Sequence, residues 1–312
     1  MMRPLLAACL FALTLGLSGQ AAAQEKIRVV ASFSILADIV RQVGGDRVDV
    51  VTLVPAMGDA HVFQPTPGDA RSVATARLLV SHGLNFEPWL DRLVAASGYQ
   101  GPRVIASAGI KPRRMNGDAH NHTGHDHGAA DGSRAVDDPH LWHDLRRMTG
   151  YVRTIADGLA AADAAHAQGY RQRGDAYAAE LKALDDWAEA QFAALPVAYR
   201  KAITQHDAFG YLAERFRIEL LAPQGATTQS EASAETVGRL IRQIRRERVQ
   251  ALFFENIANP RLIEQIGREA KVKVGGRLYS DALSPPGGEA DTFVKMYRLN
   301  ITRLVEAMRR DN

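Results

Sequence analysis

The stretch Asp163–Leu195, DAAHAQGYRQRGDAYAAELKALDDWAEAQFAAL, contains no proline and is rich in Ala, Glu, Leu and Lys. These residues have a high helix propensity and Pro196 marks the end of the pattern, so we predict one helix of about 30 residues. At about 1.5 Å per residue this helix is about 45 Å long, which exceeds the diameter of a small domain. We therefore predict that it connects two lobes, formed by residues 24–162 and 196–312.

On both sides of this helix, short apolar runs alternate with helical stretches. Before the helix, strands are predicted at Ile27–Ala31, Val48–Val54, Leu78–Val80 and Val104–Ala106, and after it at Lys201–Thr204, Ile218–Leu221, Val249–Phe254 and Val272–Val274. Helices are predicted at Ile35–Val43, Gly68–Arg77, Glu87–Ser97, Ala208–Phe216, Ser233–Arg246, Pro260–Ala270 and Glu289–Arg309. This alternation is typical of βαβ units. The predicted fold class is α/β, with two lobes that each contain a mostly parallel sheet flanked by helices, joined by one long connecting helix.

Residues 1–23 have the features of a secretory signal peptide. Arg3 supplies a positive start, Leu5–Leu17 is an unbroken apolar run, and small residues follow up to Ala23. The apolar run is too short to span a bilayer. We expect cleavage after Ala23 and a periplasmic protein. The single cysteine, Cys9, would be lost with the signal, so a metal site in the mature protein must use histidines and carboxylates.

The composition is that of an ordinary globular protein. The 312 residues are 46% hydrophobic and 23% charged, with a formal net charge of +3. These values exclude a disordered or disulfide-stapled chain and give little support for nucleic-acid binding. The arginine-rich stretch Arg242–Arg248 is explained by a solvated helix face, so we expect no nucleic-acid partner.

Four of the ten histidines lie close together in a low-complexity loop, residues 117–132. They are His120, His122, His125 and His127. Solvated imidazoles at this density can collect metal ions weakly, with an affinity that falls at acidic pH. We interpret the loop as an accessory weak metal site; an inert polar insertion is the alternative.

Three further histidines and one aspartate are candidates for a second, tighter site. His61, His206 and Asp281 follow predicted strands, and His140 lies in the segment Asp138–Asp144. Open α/β sheets bind ligands beyond the carboxyl ends of their strands. A ligand held by all four residues would lie in the cleft between the two lobes.

Four ordered motifs resemble those of the cluster A-I solute-binding proteins, the metal-binding subunits of ABC importers. The motifs are GDAHVFQPTP around His61, DPHLW around His140, HDAFGY from His206 and EASA from Glu231. The resemblance extends from about Lys26 to Met308 and implies that His61, His140, His206 and Asp281 are the metal ligands. It also implies a binding protein, not an enzyme, that delivers its ion to a membrane permease. Within the family, the chain is most similar to the zinc-specific type represented by ZnuA and AztC.

Three imidazoles and one carboxylate favour zinc as the transported ion. This donor set suits tetrahedral zinc, whereas manganese prefers more oxygen ligands. Manganese or another divalent metal is the alternative. His143 would share a face with His140 on a helical turn and competes with it as a ligand, and His82 follows a strand and could support the site. His166 is predicted to be an exposed helix residue.

Two other classes of function stay open. A zinc-dependent hydrolase would use three protein ligands and an activated water, but the sequence contains no HExxH or GxSxG motif. The second class is an adhesin or a metal-buffering protein, which would not deliver its ion to a permease. We expect a monomer, with the permease of an ABC importer as its partner and a periplasmic zinc chaperone as a further candidate partner.

Overall fold

The computed structural model of the protein describes residues 25–116, 135–225, 227–228, 232–247, 249 and 251–309. The predicted signal peptide and the histidine-rich loop lie outside these residues. Within the described ranges, no helix combines the length and the apolar character needed to cross a bilayer.

The N-terminal lobe contains a parallel sheet. Its strands are β1 (Ile27–Phe33), β2 (Val48–Val54), β3 (Leu78–Ser81) and β4 (Arg103–Ile105), in the order β2-β1-β3-β4. The helices of this lobe are α1 (Ser34–Gly44), α2 (Pro67–Ala74), α3 (Leu90–Ser97) and α4 (Leu145–Ala162). Val29, Val30 and Ala31 of β1 are fully buried, as expected for a parallel sheet covered by helices on both faces.

A short antiparallel pair, β5 (Arg114–Asn116) with β6 (Ala135–Asp137), brings together the chain on either side of the histidine-rich loop. No pattern in the sequence predicts this pair. Three-residue strands with mixed polar and apolar residues carry no measurable periodicity, so only the folded structure reveals them.

The long helix α5 covers Ala167–Ala193, 27 residues, and so begins four residues later and ends two residues earlier than predicted. Helix α4 ends at Ala162, and Asp163 stabilises a turn between the two helices. Its carboxylate accepts hydrogen bonds from the Tyr170 hydroxyl at 2.8 Å and from Nδ1 of His166 at 2.9 Å. His166 is therefore half-buried in this turn and not an exposed helix residue.

Helix α5 contacts both lobes. Near its start, Arg173 donates hydrogen bonds to the carbonyls of Val43 and Gly44 at the end of α1. Near its end, the guanidinium of Arg298 lies 4.3 Å from the ring centre of Trp187.

The C-terminal lobe repeats the architecture of the first. Strands β7 (Lys201–Ile203), β8 (Glu219–Leu221), β9 (Ala251–Glu255) and β10 (Val274–Leu278) form a parallel sheet in the order β10-β9-β7-β8. Its helices are α6 (Gly210–Phe216), α7 (Ala234–Glu247), α8 (Arg261–Ala270) and α9 (Phe293–Met308). Strand β10 lies further along the chain than predicted, because Gly275 and Gly276 interrupt its apolar pattern. The predicted α/β class with two lobes and a long helix is confirmed.

Candidate metal site

The structure brings the four candidate ligands together from four separate loops. His61 follows β2, His140 precedes α4, His206 follows β7 and Asp281 follows β10. Three of these loops lie at the carboxyl ends of parallel strands, which is where such sheets place their ligands. His61 is 3% exposed and the other three residues are 0% exposed.

The ring nitrogens of the three histidines converge on one carboxylate. Nε2 of His61 and Nε2 of His206 lie 3.3 and 3.2 Å from Oδ2 of Asp281, and Nε2 of His140 lies 3.8 Å from Oδ1. One ligand atom of each residue lies within 4.8 Å of the ligand atoms of the other three. In a tetrahedral zinc site with bonds of about 2.0–2.1 Å, ligand atoms are separated by about 3.3 Å. The four side chains therefore fit a small cation with little rearrangement.

Two further carboxylates hold the rings of His140 and His206. Oδ1 of Asp138 lies 2.8 Å from Nδ1 of His140. Oε2 of Glu255 contacts Nδ1 of His206. A carboxylate at Nδ1 keeps the proton on that nitrogen, so that the lone pair is on Nε2 and points at the cluster.

Burial and charge have opposite effects on the pKa values in the cluster. Burial raises the pKa of Asp281, but the nearby His206 and His140 lower it by a larger amount. The pKa of Asp281 therefore lies well below its usual value. Burial lowers the pKa of His206, but Glu255 and Asp281 hold it well above the usual value. The pKa of His61 is lowered, because the effect of burial on this ring is larger than the opposing effect of Asp281.

The charges around the cluster match a divalent cation. Asp138, Glu255 and Asp281 are buried carboxylates that contact the three imidazoles. Arg113 pairs with Asp138 at 2.9 Å and compensates one of these charges. Once the imidazoles are neutral, as metal binding requires, two negative charges are left, and buried charge needs a partner.

His143 and His82 lie outside the cluster. Nε2 of His143 lies 3.2 Å from the Ser280 carbonyl oxygen, and Nδ1 of His82 lies 3.0 Å from the Tyr151 hydroxyl. Burial lowers the pKa of each of these two rings to about 3, so both are neutral.

Neither Glu255 nor Asp138 was predicted from the sequence to contact the site, although Asp138 lies in the DPHLW motif. The available signal was a charged residue at the end of the apolar strand β9, where Ala251, Leu252 and Phe253 are buried. An acidic residue in such a place needs a buried partner. The partner, His206, is 49 residues away in the sequence.

Comparison with known proteins gives consistent matches over nearly the whole chain. The family model described as "Zinc-uptake complex component A periplasmic" matches residues 29–307. The manganese-binding lipoprotein MntA of Bacillus subtilis is 26% identical over 320 residues, covering 99% of this chain and 100% of that protein.

Solved structures give the same result. The periplasmic zinc-binding protein TroA from Treponema pallidum has a TM-score of 0.81 at 26% identity, with 91% of this chain and 100% of that chain covered. The Mn-bound periplasmic metal-binding protein from Candidatus Liberibacter asiaticus has a TM-score of 0.77 at 26% identity, with the same coverage. The chain therefore belongs to the ZnuA family, whose members are metal-binding substrate-binding proteins of ABC transporters and not enzymes.

Proposed function

We propose that this protein binds one zinc ion through His61, His140, His206 and Asp281 and delivers it to the membrane permease of an ABC importer. The observation that carries the proposal is the convergence of three imidazole Nε2 atoms on the buried Asp281 carboxylate. All four side chains are buried, so none of their ligand atoms is exposed to water, which favours a tightly held ion.

Manganese is the second candidate substrate, because relatives such as MntA are named manganese-binding. The donor set argues for zinc: three nitrogens and one carboxylate suit a tetrahedral borderline ion, and manganese favours oxygen ligands in greater number. The charge balance around the cluster supports a divalent cation without distinguishing these two. We therefore propose that zinc binds more tightly than manganese.

The remaining parts of the proposal concern partners and location. Relatives are named as a metal ABC transporter substrate-binding lipoprotein and a manganese-binding lipoprotein, which supports an exported protein whose partner is a permease. We further propose that residues 1–23 are a signal peptide cleaved after Ala23, that the mature protein is a periplasmic monomer, and that a zinc chaperone can load it. The histidine-rich loop is proposed as a weak accessory site that collects zinc for the cluster.

The ligand set can be tested with a pair of histidines three residues apart. We expect His140→Ala to weaken zinc binding by several kcal/mol, because it removes a bond to the ion. His143→Ala serves as the matched control, because this ring is equally buried but contacts the Ser280 carbonyl beside Asp281 and no ligand atom, so its loss should weaken zinc binding much less. Affinities are measured by competition with a chelator of known affinity, for zinc and for manganese.

His61→Ala, His206→Ala and Asp281→Ala should behave like His140→Ala. The proposed ligand set is wrong if His143→Ala weakens zinc binding more than His140→Ala. The proposed specificity is wrong if wild-type protein binds manganese more tightly than zinc.

A further inference from the structure

The end of strand β9 lies between the two ligand loops of the C-terminal lobe. In the sheet order β10-β9-β7-β8, β9 has β7 on one side and β10 on the other. His206 follows β7 and Asp281 follows β10. The residues at the end of β9, Glu255 and Asn256, are therefore adjacent to both loops.

The Glu255 side chain holds the loop that carries His206. Its Oε1 accepts hydrogen bonds from the backbone amides of Gln205 and His206 at 2.8 and 2.9 Å. Its Oε2 contacts Nδ1 of the His206 ring. Backbone and ring are thus held by one side chain, which is 1% exposed.

The Asn256 side chain holds the loop that carries Asp281. Its Oδ1 accepts a hydrogen bond from the amide of Ser280 at 3.2 Å, and its Nδ2 donates one to the carbonyl of Ala282 at 3.0 Å. These are the residues directly before and after Asp281. Because the Asp281 carboxylate faces the imidazoles, its position depends on how this backbone is held.

We propose that Glu255 and Asn256 are the positioning residues for both metal ligands of the C-terminal lobe, Glu255 for His206 and Asn256 for Asp281. This inference rests on the proposed metal site. Neither residue is one of the four proposed ligands. Side chains that orient ligands in this way change metal affinity by about 10–100-fold when they are replaced.

The first test is Asn256→Ala, with Asn300→Ala as the matched control. Asn300 is also a buried asparagine whose amide bonds both backbone groups of one residue, Tyr279, at 2.9 and 2.7 Å. Asn300→Ala loses two hydrogen bonds to backbone groups, and Asn256→Ala loses two such bonds and a weak one from Nδ2 to Sδ of Met57 at 3.7 Å, so we expect similar falls in the melting temperature of the metal-free protein. Only Asn256→Ala should weaken zinc binding by about 10–100-fold, because only Asn256 brackets the ligand.

Two further substitutions, at Asn256 and Glu255, distinguish an effect on the orientation of the ligands from an effect on the stability of the fold. Asn256→Asp keeps an acceptor for the Ser280 amide and loses the donor to Ala282. Its added negative charge would by itself attract the cation, so a weaker affinity above the pKa of His206 would point to the altered contact with Ala282, where a carboxylate oxygen replaces the N–H donor. Glu255→Gln keeps the size of the side chain but presents an N–H group to Nδ1 of His206. That contact favours the tautomer with a proton on Nε2, which removes the ligating lone pair.

Zinc affinity, the visible spectrum of bound Co²⁺ and the metal-free melting temperature are measured for each variant. We expect Asn256→Ala, Asn256→Asp and Glu255→Gln to lower zinc affinity and change the Co²⁺ spectrum, whereas Asn300→Ala keeps the wild-type spectrum. Wild-type affinity and spectrum in the Asn256 variants, or equal affinity losses in Asn256→Ala and Asn300→Ala, would overturn the inference. If Asp281→Ala also binds like wild type, the proposed metal site itself fails; if only Asp281→Ala loses zinc, the site stands and this inference fails.

Discussion

His140 and His143 are three residues apart and both fully buried, yet only His140 is one of the four residues of the candidate metal site. Their hydrogen-bond partners decide the difference. Oδ1 of Asp138 accepts a hydrogen bond from Nδ1 of His140, so Nε2 of that ring faces Asp281. Nε2 of His143 instead faces the Ser280 carbonyl. The sequence places both histidines in the same short segment but does not show which carbonyl or carboxylate each ring meets.

At the scale of single residues, we predict that zinc binding releases a proton from His206. Glu255 and Asp281 raise the pKa of His206 well above its usual value, so the metal-free protein carries a proton on this ring at neutral pH. His61 has a lowered pKa and is already neutral there. Since zinc needs a neutral imidazole, affinity should rise by about tenfold per pH unit for one released proton, below the pKa of His206.

Calorimetry in buffers of different ionisation enthalpy measures this release directly. The control is His206→Ala, in which the pH dependence of any residual binding should become shallower. An observed heat that does not vary with the buffer at pH 7 would show that His206 is neutral before the metal arrives.

At the scale of elements, helix α5 contains two glycines with different surroundings. A Cβ at Gly169 would lie 3.2 Å from Nη1 of Arg173, whereas Nε and Nη2 of that side chain are the atoms that donate to the Val43 and Gly44 carbonyls. A Cβ at Gly174 would lie 3.0 Å from the Cβ of Ala156 in α4. Gly174 therefore allows α4 and α5 to pack closely, while Gly169 has no such role.

We predict opposite effects on stability for substitutions at these glycines. Gly169→Ala should stabilise the protein by about 0.5 kcal/mol, since alanine restricts the unfolded chain more than glycine does. Gly174→Leu should destabilise it by about 1–3 kcal/mol, because the larger side chain forces the two helices apart. Urea denaturation of the metal-free proteins measures both. Equal stability of the Gly174→Leu variant and wild type would mean that α4 and α5 separate at little cost.

The histidine-rich segment, residues 117–132, is proposed to have a role that can be separated from that of the four candidate ligands. We predict that deletion of residues 118–132 leaves one tight zinc site, because none of the four cluster residues lies in this segment. Weaker binding events should disappear with the loop. Calorimetric titration of both proteins counts the sites, and loss of the tight site in the deletion variant would contradict separate roles for loop and cluster.

At the scale of the whole molecule, several buried hydrogen bonds join the lobes in addition to helix α5. Ser34 Oγ accepts from the Leu283 amide at 3.0 Å, and Oδ2 of Asp38 accepts from the Phe293 amide at 2.8 Å. The Met57 amide donates to the Leu283 carbonyl at 3.0 Å. Wide opening of the lobes would break these bonds and bend a helix whose interior lacks proline.

We therefore predict that zinc changes loop order around the ligands more than the angle between the lobes. Small-angle scattering of the metal-free and zinc-bound protein tests this, with the histidine-rich loop deleted so that its own collapse does not contribute. We expect nearly equal radii of gyration. A decrease of about 1 Å or more on adding zinc would show that the lobes rotate and that α5 acts as a hinge.

The sequence by itself determined the α/β class, the two lobes and the long helix, because local propensity and apolar periodicity act over neighbouring residues. The family motifs also indicated His61, His140, His206 and Asp281 before any contact was known. Only the tertiary structure decided which groups surround them. Glu255 contacts His206 across 49 residues of sequence, and Asn256, in the turn after β9, bonds the residues on both sides of Asp281. Such contacts depend on strand order and loop geometry, which no local pattern encodes.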